Sequence, residues 1–392
     1  MAMHKIQFLF IGLCLALVGC VKPYEFEAQN FEKVLVVDGV LTDRVGQHEV
    51  KVSYTYPLDT TLNQVVAGAS VWVEDEDGNQ TDYTYHEQGT YVSPAGFAAA
   101  EGKSYRLYLE LPGGDRYISR PEALVAAPAI DSIYDQYARL PTTLGDRTVG
   151  GIQFFIDTHD ESGKAKYFRY EWEEGYKIRV PYPKRFVLEN DTTLTYLIDS
   201  PGICYTENQS SELIYGTTIG SSQNRLAEFP VRFVSEEDQA LRVRYSILVR
   251  QFAISEAAYL FYKRLRENND SGGSLFDKQT GSVFGNIYAE ENPDQAVLGY
   301  FEVSGVSEKR AFFNRSELDD GLDVAGFLYT CSSQNIVTAP LDSAKYYLNY
   351  TGGNIFAFEE IPPMPPTVSI HFRSCTDCSF WADPTPPDYW ID

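Results

Sequence analysis

The sequence predicts a mainly β protein: an N-terminal immunoglobulin-like β-sandwich, then a larger β-rich domain with one short helix near residues 255–267. Short runs that alternate apolar and polar residues recur between Val34 and Ser119, with turn residues between them. The chain holds 28 Tyr and 23 Phe, side chains suited to a half-buried pleated surface. A single segment shows the 3.6-residue period of an amphipathic helix.

Taken in order, Val34–Leu41 reads as a buried strand with a glycine kink at Gly39, and Val50, Val52, Tyr54 and Tyr56 line one face of a strand from His48 to Tyr56. Ala67–Glu74 and Thr81–Tyr85 form a hairpin around Asp77-Gly78, a turn pair that tolerates positive φ. Gly89–Val92, Ser104–Leu111 and Arg116–Ser119 complete about seven short strands, the density expected of a sandwich over 34–121. Pro121–Pro128 marks its exit, and a second β-rich domain is expected over 130–392. Its strands are read at Gly151–Asp157, Tyr167–Glu173, Tyr176–Pro183, Leu241–Phe252, Ser282–Ile287, Ala296–Val303 and Lys309–Phe313. Ser255 is placed to cap the helix, Glu256 favours the positive end of its dipole, and Ala258, Phe261, Tyr262 and Leu265 form its apolar stripe. The last sixty residues form a Cys-containing, Pro-rich segment with little periodicity, and Pro362, Pro363, Pro365 and Pro366 exclude a helix around them.

The first residues carry a different signal. Ile6–Val18 is an apolar run too short for a hydrocarbon core of ~30 Å, and it suits a signal-peptide core. It ends in Leu17-Val-Gly-Cys20, which resembles a bacterial lipobox. The expectation is a lipoprotein signal peptide over 1–19, lipidation of Cys20, and a lipidated acidic tether over 20–33. Several acyl chains on one cysteine hold a protein firmly, because each buried methylene contributes ~0.8 kcal/mol.

Charge narrows the partners. With 55 Asp and Glu against 32 Lys and Arg, the net charge is −23, which repels phosphate backbones and argues against nucleic acid. Attachment to an anionic membrane must then rest on the acyl chains. After Cys20, four cysteines remain, Cys204, Cys331, Cys375 and Cys378; an even number in an exported chain suggests two disulfides with three possible pairings. Cys375-Thr-Asp-Cys378 also has the spacing of half a zinc site, but only His371 lies close in sequence.

No catalytic or metal site is expected, and no cofactor. The HExxH, Walker, Rossmann and GxSxG patterns are missing from the sequence. His159, between Asp157 and Asp160, has the composition of an oriented base but also of a solvated turn. Asp75-Glu-Asp-Gly-Asn79 resembles the start of a calcium loop, yet His86 stands where the bidentate glutamate belongs. Trp172 reads as core. Trp381 and Trp390, in the Pro-rich tail, are candidates for contact with a partner or ligand.

As an ordered set, several of these segments resemble one family. Val36-Val-Asp-Gly39, Ala67-Gly-Ala-Ser-Val71, Gly89-Thr-Tyr91 and Gly102-Lys-Ser-Tyr-Arg-Leu107 follow the lipobox; Tyr245–Gln251, Ser274–Asp277, Gly285-Asn-Ile287, Val297–Phe301 and Cys375–Cys378 close the set. The chain is similar to the domain-of-unknown-function 4249 family of Bacteroidota outer-membrane lipoproteins, departing from it at Ser379–Pro384, where a glycine-rich stretch is expected. The resemblance implies an outer-membrane lipoprotein associated with a TonB-dependent transporter of the starch-utilisation type. The expected function is that of a non-enzymatic accessory to the transporter, capturing an unknown nutrient ligand, at the cell-surface face in preference to the periplasmic one. Lys22, Glu25 and Glu27 loosely suggest the acidic signal for that face. Two alternatives stand beside it: a structural or adhesive surface lipoprotein, and a surface glycan hydrolase using Asp157 or Asp160.

Overall fold

Alternation with period 2 places every second side chain on one face, and Leu35, Val37 and Leu41 are accordingly at most 2% exposed while Val36, Asp38 and Val40 face away from that core. A computed structural model describes residues 33–56, 64–142, 147–189, 193–197, 202–221, 223–270, 283–319, 321–322, 331–350, 355–361 and 367–392. In chain order the strands are β1 (Leu35–Thr42), β2 (Glu49–Tyr54), β3 (Ser70–Asp75), β4 (Gln80–Tyr85), β5 (Thr90–Val92), β6 (Ser104–Glu110), β7 (Arg116–Ser119), β8 (Glu122–Ala123), β9 (Ile130–Pro141), β10 (Thr148–His159), β11 (Tyr167–Arg179) and β12 (Phe186–Glu189). They continue as β13 (Thr193–Tyr196), β14 (Ile203–Gln209), β15 (Ile214–Thr217), β16 (Arg225–Ser235), β17 (Arg244–Ile254), β18 (Ile287–Ala289), β19 (Val297–Leu298), β20 (Phe301–Asn314), β21 (Val337–Pro340), β22 (Ile355–Ile361) and β23 (Thr367–Phe372). The α-helices among the described residues are α1 (Glu256–Asp270), α2 (Leu341–Tyr350) and the single turn α3 (Arg373–Thr376). The fold is mainly β, as the composition requires.

The expected N-terminal sandwich is present. β4 pairs β3 through Gln80–Tyr83 and then β5 through Thr84 and Tyr85, so one strand passes from one layer to the other. Val37, Val50 and Val52 from one layer and Val73, Leu107 and Leu109 from the other close a single core. The 34–121 segment does not build this core by itself. β1 pairs in parallel with β19 and then β20, β18 adds to β7, and Ile287, Val297, Phe301 and Val303 are buried in the same core. Parallel pairing needs a long crossover, and the turn signals of a meander do not announce it.

β20 is the joint of the molecule. Its first residues pair β1, and from Gly305 to Asn314 it pairs β17. β14, β11, β17 and β20 form one layer of a second sandwich, and β16, β10 and β9 the other. Ile152, Phe154 and Ile156 from β10 meet Phe168, Tyr170, Tyr245 and Ile247 in its core. Trp172 joins them with the Arg232 guanidinium 4.3 Å above its ring, which bears out its reading as core. The strands read at Tyr167–Glu173 and Tyr176–Pro183 are one strand, β11.

Ser255 caps α1 by accepting from the Ala258 N–H at 3.1 Å. Ala258, Phe261 and Tyr262 pack on Phe252, Ile254 and Tyr300. One helix was expected; α2 is a second, with Ala344 and Leu348 buried. Two buried residues four apart make too narrow a stripe to read from sequence. The aperiodic C-terminal segment supplies β21, β22 and β23, which join β12 and β13 in a five-stranded sheet. The four prolines singled out there, residues 362, 363, 365 and 366, lie outside the described residues.

Candidate functional site

Where the two sandwiches meet, strands of both and α1 enclose a cleft of about 600 Å³. Val36, Asp38 and Val40 on the outward face of β1 form one side; Phe261, Tyr262 and Leu265 of α1 form another; Arg169 and Glu171 of β11 lie between. The walls are mostly apolar with a few convergent polar groups, the composition of a small-molecule site.

A buried ion pair forms the floor. Arg169 donates from Nε to Glu302 Oε2 at 2.9 Å and from Nη2 to Glu302 Oε1 at 3.0 Å. Tyr262 donates to Oε2 at 2.7 Å and Ser304 to Oε1 at 2.8 Å, so each carboxylate oxygen takes two bonds. Burial opposes the charged form of Glu302, but the guanidinium and these donors outweigh it and hold the carboxyl below its ordinary value. The third arm of Arg169, Nη1, reaches Glu171. The guanidinium also lies 4.0 Å over the Phe252 ring.

Two further acids surround the pair. Asp38 is open to solvent on one side and crowded by protein on the others; that crowding, with the charge of Glu302, raises its pKa. Glu122 is 4% exposed and accepts from Tyr300 Oη at 2.5 Å and from Asn286 Nδ2 at 3.2 Å. Burial raises its pKa as well, with Glu302 adding to the effect against the hydrogen bonds that lower it. Asn286 also bonds both backbone groups of Phe301, at 2.9 Å each, so Gly285-Asn-Ile287 is pinned to the start of β20.

Glycine permits this closeness. Gly299 has φ +95°, and a Cβ there would lie 1.9 Å from the Val37 carbonyl oxygen; one on Gly285 would lie 1.6 Å from the Gly299 oxygen. Segments far apart in sequence, Val36–Gly39, Gly285–Ile287 and Val297–Phe301, converge here.

The residues singled out from sequence lie elsewhere. Cys20, residues 1–19, read as a leader, and residues 20–32, read as a tether, lie outside the described residues. Cys204 pairs with Cys378 and Cys331 with Cys375, so the two cysteines of the C-terminal motif point to different partners. Trp390 is docked on the protein's own surface, with ring centroids 4.9 Å from Tyr205 and 5.8 Å from Phe312. Trp381 remains 42% exposed beside Phe380, its Nε1 donating to the Ser374 carbonyl at 2.8 Å. Neither borders the cleft.

Asp157 accepts from Arg225 at 2.8 Å and from the Glu228 N–H at 2.9 Å, while Asp160 caps its own turn through Ser162 and Ala165. His159 meets Asp131 at 2.7 Å, and that bond raises its pKa. In the loop that resembles a calcium site, Asp75 and Asp77 hold the Lys103 ammonium at 2.8 and 2.7 Å. Sequence reasoning missed the cleft residues Arg169, Glu302, Asp38 and Tyr262. The signal was there: each charge interrupts an apolar strand, as in Tyr167-Phe-Arg-Tyr170 and Tyr300-Phe-Glu-Val303.

Two β-sandwiches sharing a strand, with a charged cleft at their junction, define a mainly β protein. Residues 21–310 match the family described as Domain of unknown function (DUF4249), and the chain belongs to that family. No curated protein matches it. Among solved structures, the crystal structure of a DUF4785 family protein from Legionella pneumophila subsp. pneumophila str. Philadelphia 1 is 10% identical, with a TM-score of 0.17. That match covers 55% of this chain and 51% of the other.

Proposed function

We propose that this protein is a lipid-anchored outer-membrane accessory lipoprotein that captures a small ligand in the junction cleft and serves a TonB-dependent transporter without catalysing a reaction. The observation that carries the capture role is the cleft itself: about 600 Å³ of mostly apolar wall around the Arg169–Glu302 pair. Support for a non-enzymatic role comes from Asp157 and His159, engaged by Arg225 and Asp131 of the neighbouring strands, and from Asp160, engaged by its own turn. Support for the anchor comes from Leu17-Val-Gly-Cys20, and no helix among the described residues is long and apolar enough to cross a membrane. The transporter partnership and the surface-facing location rest on the family resemblance. Purification of the tagged protein from native membranes in mild detergent tests the partnership: a transporter barrel co-purifies, and recovery of the lipoprotein alone would refute it. Palmitate labelling that is lost in Cys20→Ala tests the anchor.

A further inference from the structure

We propose that the junction cleft binds an organic cation, a primary ammonium or guanidinium group carried on an apolar body. This rests on the reading of the cleft as a capture site and names the ligand class that site would take. The charge balance comes first. Arg169 is the cation of the cleft wall among the described residues, and its Nε, Nη1 and Nη2 already donate to Glu302 and Glu171. Asp38 has no hydrogen bond or ion pair from its carboxylate among the described residues; Lys51 lies opposite it on β2 but forms no ion pair with it. Within the cleft wall and floor three carboxylates, Asp38, Glu171 and Glu302, therefore surround one guanidinium; Lys51 acts on Asp38 from outside that lining, and Asp38 faces the opening.

The chemistry is asymmetric. An entering anion would meet Asp38 and Glu171 before a guanidinium whose charge Glu302 and Glu171 already balance. An entering ammonium would donate charge-assisted hydrogen bonds to the same two acids. Behind them, Val36, Val40, Leu213, Phe261, Leu265 and Leu298 offer a wall for an apolar body, and Phe261 adds an aromatic ring near the charge. The net charge of −23 attracts cations to the molecule and repels anions at long range.

The test uses three probes of one shape and different charge: 4-phenylbutylammonium, 5-phenylpentanoate and 4-phenylbutanol. Each is titrated calorimetrically into the detergent-solubilised full-length protein, with protein-free micelles as the blank. The ammonium is expected to bind at one site, and Asp38→Asn and Glu171→Gln each to weaken it about tenfold, the loss of one charge-assisted bond. Both variants stand at solvent-accessible positions, and circular dichroism confirms their folding. Equal or tighter binding of the pentanoate or the alcohol would overturn the cation assignment and leave the capture role in place. Binding that neither variant changes would overturn the assignment too. No binding by any of the three would overturn both the assignment and the cleft as a small-molecule site.

Discussion

Arg169 and Glu302, 133 residues apart, meet in a two-point ion pair that ties β11 to the start of β20 across the junction of the two sandwiches. Their side chains are 9% and 1% exposed, so neither charge has water to fall back on. Removing one partner strands the other, and Glu302→Gln is expected to cost about 3–5 kcal/mol. The double variant Arg169→Met with Glu302→Leu should cost less than the two single changes together, because no lone charge remains. Urea unfolding of the four proteins checks this; additive losses would mean that the pair is not coupled.

Glu122 gives a pH dependence with a definite sign. Burial raises its carboxyl above the unfolded value of 4.5, so the native state keeps a proton that the unfolded chain releases. The stability it contributes is complete below that unfolded value and is lost as pH rises through the native one. Glu122→Gln, which retains an acceptor oxygen for Tyr300, should raise the melting temperature by a few degrees at pH 7 and give no gain at pH 4.5. An equal deficit at both pH values would show that the proton is not involved.

The disulfide pairing is open to a direct check. Non-reducing peptide mapping should recover Cys204 with Cys378 and Cys331 with Cys375. A Cys375–Cys378 peptide would contradict the fold of the C-terminal sheet. Replacing Cys204 and Cys378 by Ala opens the longer of the two loops and should cost about 2–5 kcal/mol in denaturant unfolding.

Gly299 should tolerate no side chain. Its φ of +95° lies where L residues are strained, and the Val37 carbonyl occupies the space a Cβ needs. Gly299→Ala is expected to lower stability by at least about 3 kcal/mol or to prevent recovery of folded protein. Gly78→Ala is the control: its φ is +81° with open space around it, and it should lose about 1 kcal/mol.

The two tail tryptophans should separate. Trp390→Ala removes a ring that packs on Tyr205 and Phe312, and should speed proteolysis of the last ten residues. Trp381→Ala, at an exposed ring, should leave that rate unchanged. Equal effects would mean that Trp390 is not docked.

Local rules made much of this fold legible. Leu35–Thr42, Glu49–Tyr54 and Ser104–Glu110 follow plain alternation, Gly78 takes the positive φ that its turn requires, and Ser255 caps its helix. Leu341–Tyr350 escaped because, among its described side chains, only Ala344 and Leu348 are buried, and the C-terminal strands escaped because β22 pairs β12, which lies more than 160 residues earlier. The cleft charges interrupt apolar strands, a visible signal that does not say which way they face. A charged residue in an alternating strand reads as the solvent side, and Arg169 and Glu302 occupy positions that only a second packed layer turns inward.

The amino-acid sequence by itself determined the β class, most strand positions, the helix cap, the acidic surface and the supply of four cysteines for two bridges. Period 2, turn chemistry and capping act within a few residues, so they are readable one segment at a time. The tertiary structure decided that β1 lies in parallel beside β20, which cysteines meet, and which charges are sealed between the sandwiches. Those outcomes depend on chain segments 44 residues and more apart finding one another, and the energy of a buried charge is set by the partner it meets there.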